Sequence, residues 1–279
     1  MNDLAACATL ACIWEATAPK PGNVYRGADF EDVTYADFLT SAAVIGKPIA
    51  SASEIGVGQA VFESIQAIHT AVGANTYLGT VLLLAPLAAV PGGMLLRDGI
   101  AEVLKGLTTQ DTLKVYEAIR LAKPGGLGKA DEADVNVGNP HMNLVAAMQL
   151  AAERDLVARQ YANGFSQVFW IADRMVHAGL PLGAAIVNSY LELLSEYPDS
   201  LIARKCGVEV SNQVSQRASR VLSLCEVEEG AFERELADFD FYLRTDGNRL
   251  NPGTSADLIA AALFVLLRDN RLKWPVRFY

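Results

Sequence analysis

The stretch of the chain that most restricts the fold runs from Ser64 to Leu96 and contains no Asp, Glu, Lys or Arg. Its length would suit a membrane-spanning helix, but Gly73, Gly79 and the Pro91–Gly93 turn divide it into pieces too short to cross a bilayer. A helix that is apolar on every side otherwise belongs in the core of a large helical protein. We therefore predict a buried central helix and no association with a membrane.

Apolar side chains recur at three- and four-residue steps through much of the remaining sequence, which indicates α-helices. The periodic segments include Leu4–Trp14, Val57–Val72, Leu144–Ala158, Phe165–His177, Leu182–Glu196 and Ala256–Leu267. Helix starts are expected at Thr34, with Asp37 three residues later, and at Ser53, which precedes Glu54. Alternating runs of strand length are scarce. The sequence thus predicts an all-α protein that folds as one domain over residues 1–279.

Composition and charge exclude several classes of protein. A hydrophobic fraction of 51% with 20% charged residues allows a large core and excludes global disorder. The formal charge of −9 excludes the uniformly basic surface of a nucleic-acid-binding protein, so a bound polyanion must meet a local cluster of cations. Glu15 interrupts the first apolar segment, so we expect no signal peptide and a cytoplasmic protein. The sequence leaves open whether the chain forms a homodimer.

Three loops rich in Gly and Pro interrupt the helical pattern, at Ala18–Gly27, Lys123–Gly138 and Gly247–Gly253. Turns and helix N-termini expose unpaired N–H groups, so ligands are expected at these loops. In the first loop two prolines fix the backbone around Lys20, which favours capture of an anion, and an ordinary turn with an exposed lysine is the alternative. In the second loop Lys129 either neutralises a phosphate or is solvated surface charge.

The third loop leads directly into an apolar helix. The N–H groups of Gly253, Thr254 and Ser255 would point out of the N-terminus of that helix, where phosphate is readily bound, and Arg249 is close to them in sequence. Asp257 lies in the first turn. Its negative charge either interacts favourably with the helix dipole or holds Mg²⁺ on a phosphate chain.

Two other polar segments carry candidate residues. Asn75 and Thr76 interrupt the most apolar part of the chain, where they either cap the next helix or bind a ligand. Asp199 is followed by Arg204 and Lys205, and these two cations would suit the C-terminal end of a helix without any ligand.

Taken together, these segments resemble the triphosphoribosyl-dephospho-CoA synthase family of ATP:dephospho-CoA triphosphoribosyltransferases. The element P-K-P-G-x-V matches at Pro19–Val24, N-T-x-x-G at Asn75–Gly79, and L-x-P-G-x-S-A-D-L at Leu250–Leu258. The decarboxylase-associated members of the family usually read N-T-H-K-G, whereas this chain has Tyr77 and Leu78 at the third and fourth positions. In this respect it is more similar to the archaeal-type branch.

The resemblance implies an all-α fold, ATP as a substrate, and Mg²⁺. It also implies transfer of the 5-triphosphoribosyl group to the ribose 2′-hydroxyl of dephospho-CoA, with release of adenine. The motif positions carried over to this chain are Lys20, Asn75, Thr76, Ser255 and Asp257. The alternatives are the same nucleotide chemistry on another acceptor, such as a methanopterin-like one-carbon carrier, and a non-catalytic nucleotide-binding protein.

This chemistry requires carboxylates and cations. Displacing adenine passes through an oxocarbenium-like state, which a carboxylate stabilises while an acid protonates the departing base. The candidate catalytic residues are Asp257, Asp199 and Asp32, and the candidate Mg²⁺ ligands are Asp257 and Asp199. The triphosphate is expected to meet Lys20, Arg249 and Lys129, together with the N-terminal positions Gly253, Thr254 and Ser255.

Overall fold

The computed structural model describes residues 3–123, 142–177, 179–224 and 230–279. These residues form fifteen helices and no strand, apart from an isolated bridge between Tyr25 and Ala28. The helices are α1 (Leu4–Thr17), α2 (Tyr35–Ala50), α3 (Ala52–Ile55), α4 (Val57–Ala71), α5 (Leu78–Ala88), α6 (Leu96–Lys105), α7 (Thr109–Ala122), α8 (Leu144–Ala151), α9 (Leu156–Asn163), α10 (Ser166–His177), α11 (Leu182–Glu196), α12 (Ser200–Cys206), α13 (Val208–Ser223), α14 (Ala231–Arg244) and α15 (Gly253–Arg268). The predicted all-α fold is confirmed.

Two helices, α5 and α15, form the centre of the core. Every residue of α5 from Thr80 to Ala88 is buried, which confirms the predicted central helix. Helix α15 has no charged side chain between Asp257 and Arg268, and it contacts α1, α5, α9, α10, α11 and α12. Each aliphatic side chain buried in this way stabilises the folded protein by about 1.5–3 kcal/mol relative to an exposed side chain. None of the described helices is both long enough and apolar enough to span a membrane.

Helix α5 contains Pro86, which lacks the N–H that would bond the carbonyl of Leu82 one turn earlier. A buried carbonyl without a partner is costly. The hydroxyl of Tyr161, on α9, donates a 2.6 Å hydrogen bond to this carbonyl. The core therefore tolerates a proline in its central helix because a tyrosine of a neighbouring helix replaces the missing donor.

Helix α2 begins as predicted, because the side chains of Thr34 and Asp37 each accept a hydrogen bond from the backbone N–H of the other. The start predicted at Ser53 is wrong. Ser53 lies inside the single turn of α3, which begins directly after Ser51 without a side-chain cap.

The continuous helix predicted for Leu144–Ala158 is also wrong, since α8 ends at Ala151 and α9 begins at Leu156. Asp155 causes the break. Its Oδ1 accepts hydrogen bonds from the N–H groups of Val157 (2.9 Å) and Ala158 (3.1 Å), so it caps a new helix.

Candidate active site

A cleft of about 1400 Å³ opens between α4, α5, α7, α8, α9, α12 and the N-terminus of α15. The wall formed by α4, α7 and α8 is mostly apolar, and the wall formed by α12 and the loop before α15 is polar. The predicted site residues that line the cleft are Asp32, Asn75, Thr76, Gly253, Thr254 and Asp257. Four other predicted residues, Lys20, Asp199, Arg249 and Ser255, do not line it. Lys129 lies outside the described residues.

Asp257 lies at the floor of the cleft, where α15 meets the first turn of α5. The sequence predicted Asp257 in the first turn of α15, but that turn contains no acid and Asp257 follows it. The hydroxyl of Thr80 donates a 2.6 Å hydrogen bond to its Oδ1. Gly79 permits this close approach, because a Cβ atom at Gly79 would lie 2.0 Å from Asp257 Oδ2. The glycine of the N-T-x-x-G element and the aspartate of the S-A-D element are thus in direct contact.

Burial raises the pKa of the Asp257 carboxyl from its ordinary value of 3.8 to about 8. The hydrogen bond from Thr80 opposes this rise, and the negative charge of Glu15 adds to it. At neutral pH the protonated form therefore predominates. A neutral carboxyl that lines a cleft can donate a proton to a ligand there.

The carboxylate of Asp199 lies at the N-terminus of α15, where the sequence predicts a phosphate. Its Oδ2 accepts hydrogen bonds from the backbone N–H (2.7 Å) and the hydroxyl (2.8 Å) of Ser255, at the N-terminus of α15. Its Oδ1 accepts from the N–H groups of Leu201 (2.8 Å) and Ile202 (3.2 Å) and so caps α12. Burial raises the pKa of Asp199, and these hydrogen bonds oppose the rise. Asp199 therefore joins two helices, and the anion at Ser255 belongs to the protein itself.

Lys20 is fully buried instead of facing the cleft. Its ammonium lies 2.8 Å from Glu15 Oε1 and also donates to the backbone carbonyl of Glu15. Burial raises the pKa of the Glu15 carboxyl, and the charge of Lys20 opposes that rise. The two prolines thus fix a loop that holds an internal ion pair. The sequence predicted either an exposed turn or an anion site at Lys20, and the buried lysine forms neither.

The cations that do line the cleft include Arg204 and Lys205, in the last turn of α12. Arg204 is held by Asp155 at 3.0 Å, and the Lys205 ammonium donates to the carbonyl of Asn248 at 3.2 Å. Burial lowers the pKa of Lys205. The sequence explains both residues by the helix dipole alone, whereas the position of α12 in the fold places them at the cleft.

Asp32 is exposed at the edge of the same cleft. Both of its carboxylate oxygens accept from the side-chain amide of Asn248 at 3.1 Å. Since the carbonyl of Asn248 accepts from Lys205, one asparagine positions an acid and a cation side by side. Arg249 instead points outward, with 58% of its side chain exposed, and pairs with Asp246 at 2.9 Å.

Asn75 and Thr76 line the cleft, and neither caps α5, whose first turn has no side-chain cap. The hydroxyl of Thr76 donates to Ser41 at 2.8 Å. The next residue, Tyr77, is only 2% exposed, and its hydroxyl donates to the carbonyl of Cys12 at 3.1 Å. The chain therefore turns inward directly after Thr76, which leaves Asn75 and Thr76 as the polar residues of this loop that can meet a ligand.

Comparisons with known proteins identify the family of this chain. A family model described as CitG, ATP:dephospho-CoA triphosphoribosyl transferase, matches residues 1–276. A solved structure from Archaeoglobus fulgidus, assigned as a triphosphoribosyl-dephospho-CoA synthase, has 27% sequence identity and a TM-score of 0.66, and the similarity covers 83% of this chain and 98% of the other. Comparison with curated proteins gives no significant match. Because the family match extends over nearly the whole chain, the protein belongs to the ATP:dephospho-CoA triphosphoribosyl transferase family and is a transferase.

Proposed function

We propose that this protein transfers the 5-triphosphoribosyl group of ATP to the ribose 2′-hydroxyl of dephospho-CoA in the cytoplasm and releases adenine. The bond between the anomeric carbon and adenine breaks, and a bond from that carbon to the hydroxyl oxygen forms. Adenine gains one proton while the hydroxyl loses one, so the reaction consumes no net proton. The site must therefore supply an acid, a proton acceptor and negative charge beside the ribose.

The carboxyl of Asp257, which lines the cleft and accepts a hydrogen bond from Thr80, is the observation that carries this proposal. It lies at the floor of the cleft, and its pKa of about 8 keeps a proton available for the departing base at neutral pH. Asp32 is the other predicted carboxylate in the cleft, and we assign to it the acceptance of the hydroxyl proton. Asp199 receives no catalytic role, because its two oxygens already accept four hydrogen bonds.

The triphosphate is assigned to the polar wall of the cleft. Arg204 and Lys205 supply positive charge there, and Asn75 and Thr76 supply uncharged polar groups from the opposite loop. Guanidinium and ammonium groups are common ligands of phosphate. Their partners Asp155 and Asn248 hold them in place, which reduces the entropy lost when phosphate binds.

Mg²⁺, which the resemblance implies, does not find a ligand in Asp199. It prefers carboxylate oxygens, but both oxygens of Asp199 are already hydrogen-bonded inside the protein, and Asp257 is the other expected ligand, which lines the cleft. Among the residues that the structure describes, no group of three or more His, Cys, Asp or Glu side chains is arranged to hold a metal ion. We assign no step of the reaction to Mg²⁺.

A second candidate is the same donor chemistry on another acceptor, such as a one-carbon carrier. The observation that favours it is Leu78, an apolar side chain lining the cleft at the position where decarboxylase-associated relatives have lysine. A different charge at this position favours a different acceptor.

The experiment is to incubate the protein with ATP and either acceptor, and to detect adenine and the triphosphoribosyl adduct by mass spectrometry. Asp257→Asn should reduce adenine release at least about 100-fold, because general acid catalysis contributes factors of this size. Glu102→Gln is the matched control, since Glu102 is an exposed acid on α6 that does not line the cleft. An adduct with the one-carbon carrier alone would select the second candidate. Absence of adenine with both acceptors would contradict the proposal.

A further inference from the structure

The charged and the apolar groups of the cleft lie on different walls. Among the described residues, the helical positions of α4, α5, α7 and α8 that line the cleft include no Asp, Glu, Lys or Arg. Lys123, directly after α7, is the cation on this side. The other Arg and Lys residues of the cleft come from the loop before α9, from α9 and from α12, and they are Arg154, Arg159, Arg204 and Lys205.

The apolar wall contains side chains at helical spacing that remain partly exposed. Ile119 and Ala122 lie one turn apart on α7, and Met148 and Ala151 lie one turn apart on α8. All four line the cleft, and each is neither fully buried nor fully exposed. An apolar surface inside a cleft favours uncharged ligand groups, because both surfaces leave water when the ligand binds.

The cleft is larger than one substrate requires. Pockets for a single small molecule usually measure roughly 300–1,000 Å³. This cleft measures about 1400 Å³. The proposed reaction needs the donor and the acceptor in the same cleft, because the acceptor hydroxyl must reach the anomeric carbon of ATP. The volume therefore agrees with two substrates that are bound at the same time.

The two substrates differ in one part, and that part matches the apolar wall. ATP is a nucleoside with a charged triphosphate. Dephospho-CoA also contains adenosine and a diphosphate, but it carries in addition pantetheine, a long uncharged arm that ends in a thiol. Placing phosphate against an apolar wall would be costly, whereas placing an uncharged arm there is favourable. The pantetheine arm is therefore the group that fits this wall.

We infer that the apolar wall, at α7 and α8, binds the pantetheine arm of the acceptor, and that Ile119 and Met148 determine the preference for an acceptor with such an arm. Helix α5 contacts both α7 and α15, so the wall adjoins the helix that carries Asp257. The nucleotide part of the acceptor then lies between the wall and Asp257. The inference rests on the proposed function, in which dephospho-CoA is the acceptor.

The test compares dephospho-CoA with ADP, which has the same 2′-hydroxyl and diphosphate but no pantetheine arm. We expect the wild type to prefer dephospho-CoA at least about 100-fold in kcat/KM, since a single methylene in an apolar pocket is worth about 10–200-fold. The double variant Ile119→Ala/Met148→Ala shortens both side chains, so this preference should fall at least about tenfold. An unchanged preference in the double variant, or equal use of both acceptors by the wild type, would overturn the inference.

The matched control is the double variant Leu113→Ala/Val145→Ala. Leu113 and Val145 lie on the same two helices and are also partly exposed, but they do not line the cleft. Their replacement removes apolar contacts from α7 and α8 without changing the surface of the cleft, so the preference should stay within about twofold of the wild type. An equal fall in both double variants would assign the effect to helix packing and refute the role of the wall.

A mixed disulfide tests the position of the arm without relying on turnover, and it needs only one replacement at a partly exposed position. Met148→Cys is incubated with the disulfide of dephospho-CoA. The new thiolate bonds to one sulfur and releases the other dephospho-CoA as a thiolate. Ala146→Cys is the control, because Ala146 is partly exposed on the same helix and outside the cleft.

Peptide mapping by mass spectrometry separates the two substituted positions from the native cysteines. We expect the mixed disulfide to form at least about tenfold faster in Met148→Cys than in Ala146→Cys, and equal rates would overturn the inference. Absence of adenine release by the wild type with either acceptor would instead refute the proposed function. The failure of the inference and the failure of the proposed function are therefore distinguishable.

Discussion

Replacing Asp257 by Asn is expected to stabilise the protein at neutral pH, although it removes the proposed acid. Asn has nearly the same shape, and its oxygen can accept the 2.6 Å hydrogen bond from Thr80. The wild-type carboxyl has an ordinary pKa of 3.8 and a pKa of about 8 in the folded protein. Because the folded state holds the proton more tightly, the stability contributed by this group is full below pH 3.8 and is lost as the pH rises through about 8. Asn does not titrate, so its contribution to stability does not change with pH.

The size of the effect follows from that shift. Each pH unit between the two pKa values lowers the free energy of unfolding by about 1.4 kcal/mol, so the rise from pH 3.8 to pH 7 corresponds to roughly 4 kcal/mol. The carboxyl lines a solvent-filled cleft, and solvent screens part of this cost. We therefore expect Asp257→Asn to add about 2 kcal/mol to the free energy of unfolding at pH 7, which raises Tm by about 3 °C for a chain of this length, and to add close to nothing at pH 4.

The assay is thermal and urea-induced unfolding of wild type and Asp257→Asn at several pH values between 4 and 8. Asp246→Asn serves as the control, because Asp246 is exposed and pairs only at the surface with Arg249. The difference in stability between the Asp257 variant and wild type should grow with pH, and the control should show no such growth. A difference that stays constant across this range would mean that Asp257 is ionised in the folded protein. The reasoning that makes it the acid would then fail.

Three other substitutions test the remaining contacts. Lys20→Met leaves Glu15 buried without its cation and should lower the free energy of unfolding by about 3 kcal/mol, and adding Glu15→Gln should restore most of this loss in chemical denaturation. Asp199→Ala removes the cap of α12 and the acceptor of two hydrogen bonds from Ser255 in α15, and it should cost about 3 kcal/mol in the same assay, whereas a loss of activity at unchanged stability would contradict its structural role. Gly79→Ala places a methyl group 2.0 Å from Asp257 Oδ2, so kcat should fall at least about tenfold, and unaltered steady-state kinetics would be inconsistent with the observed contact.

The parts of the fold that follow from local pattern could be predicted from the sequence. The charge-free stretch after Ser64 predicted a buried helix, and α5 is buried as expected. The boundary within Leu144–Ala158 was missed because the apolar spacing continues across Asp155, while a single side-chain cap is enough to start a new helix there. Periodicity reports which face of a helix is apolar, and it is insensitive to such a local hydrogen bond.

The candidate site could be predicted only in part, since sequence spacing does not show which polar groups satisfy one another. Six of the predicted residues line one cleft, although they come from distant segments. Lys20 and Asp199 were expected to meet ligand phosphate or metal, and both are instead satisfied inside the protein by Glu15 and by Ser255. Glu15 is only five positions from Lys20. Ser255 is 56 positions from Asp199, and only the folded chain reveals that pair.

The internal bond of Asp199 also explains how the proposed acid and the cations come to share a cleft. Asp199 caps α12 and binds the first turn of α15 at Ser255, so it fixes the two helix N-termini against each other. Asp257 follows two residues later on α15, and Lys205 lies in the last turn of the short helix α12. The N-T-x-x-G loop cannot supply that cation, because Leu78 carries no charge and lines the cleft beside a buried Tyr77. A buried carboxylate that touches no ligand thus determines where the ligand-facing charges lie.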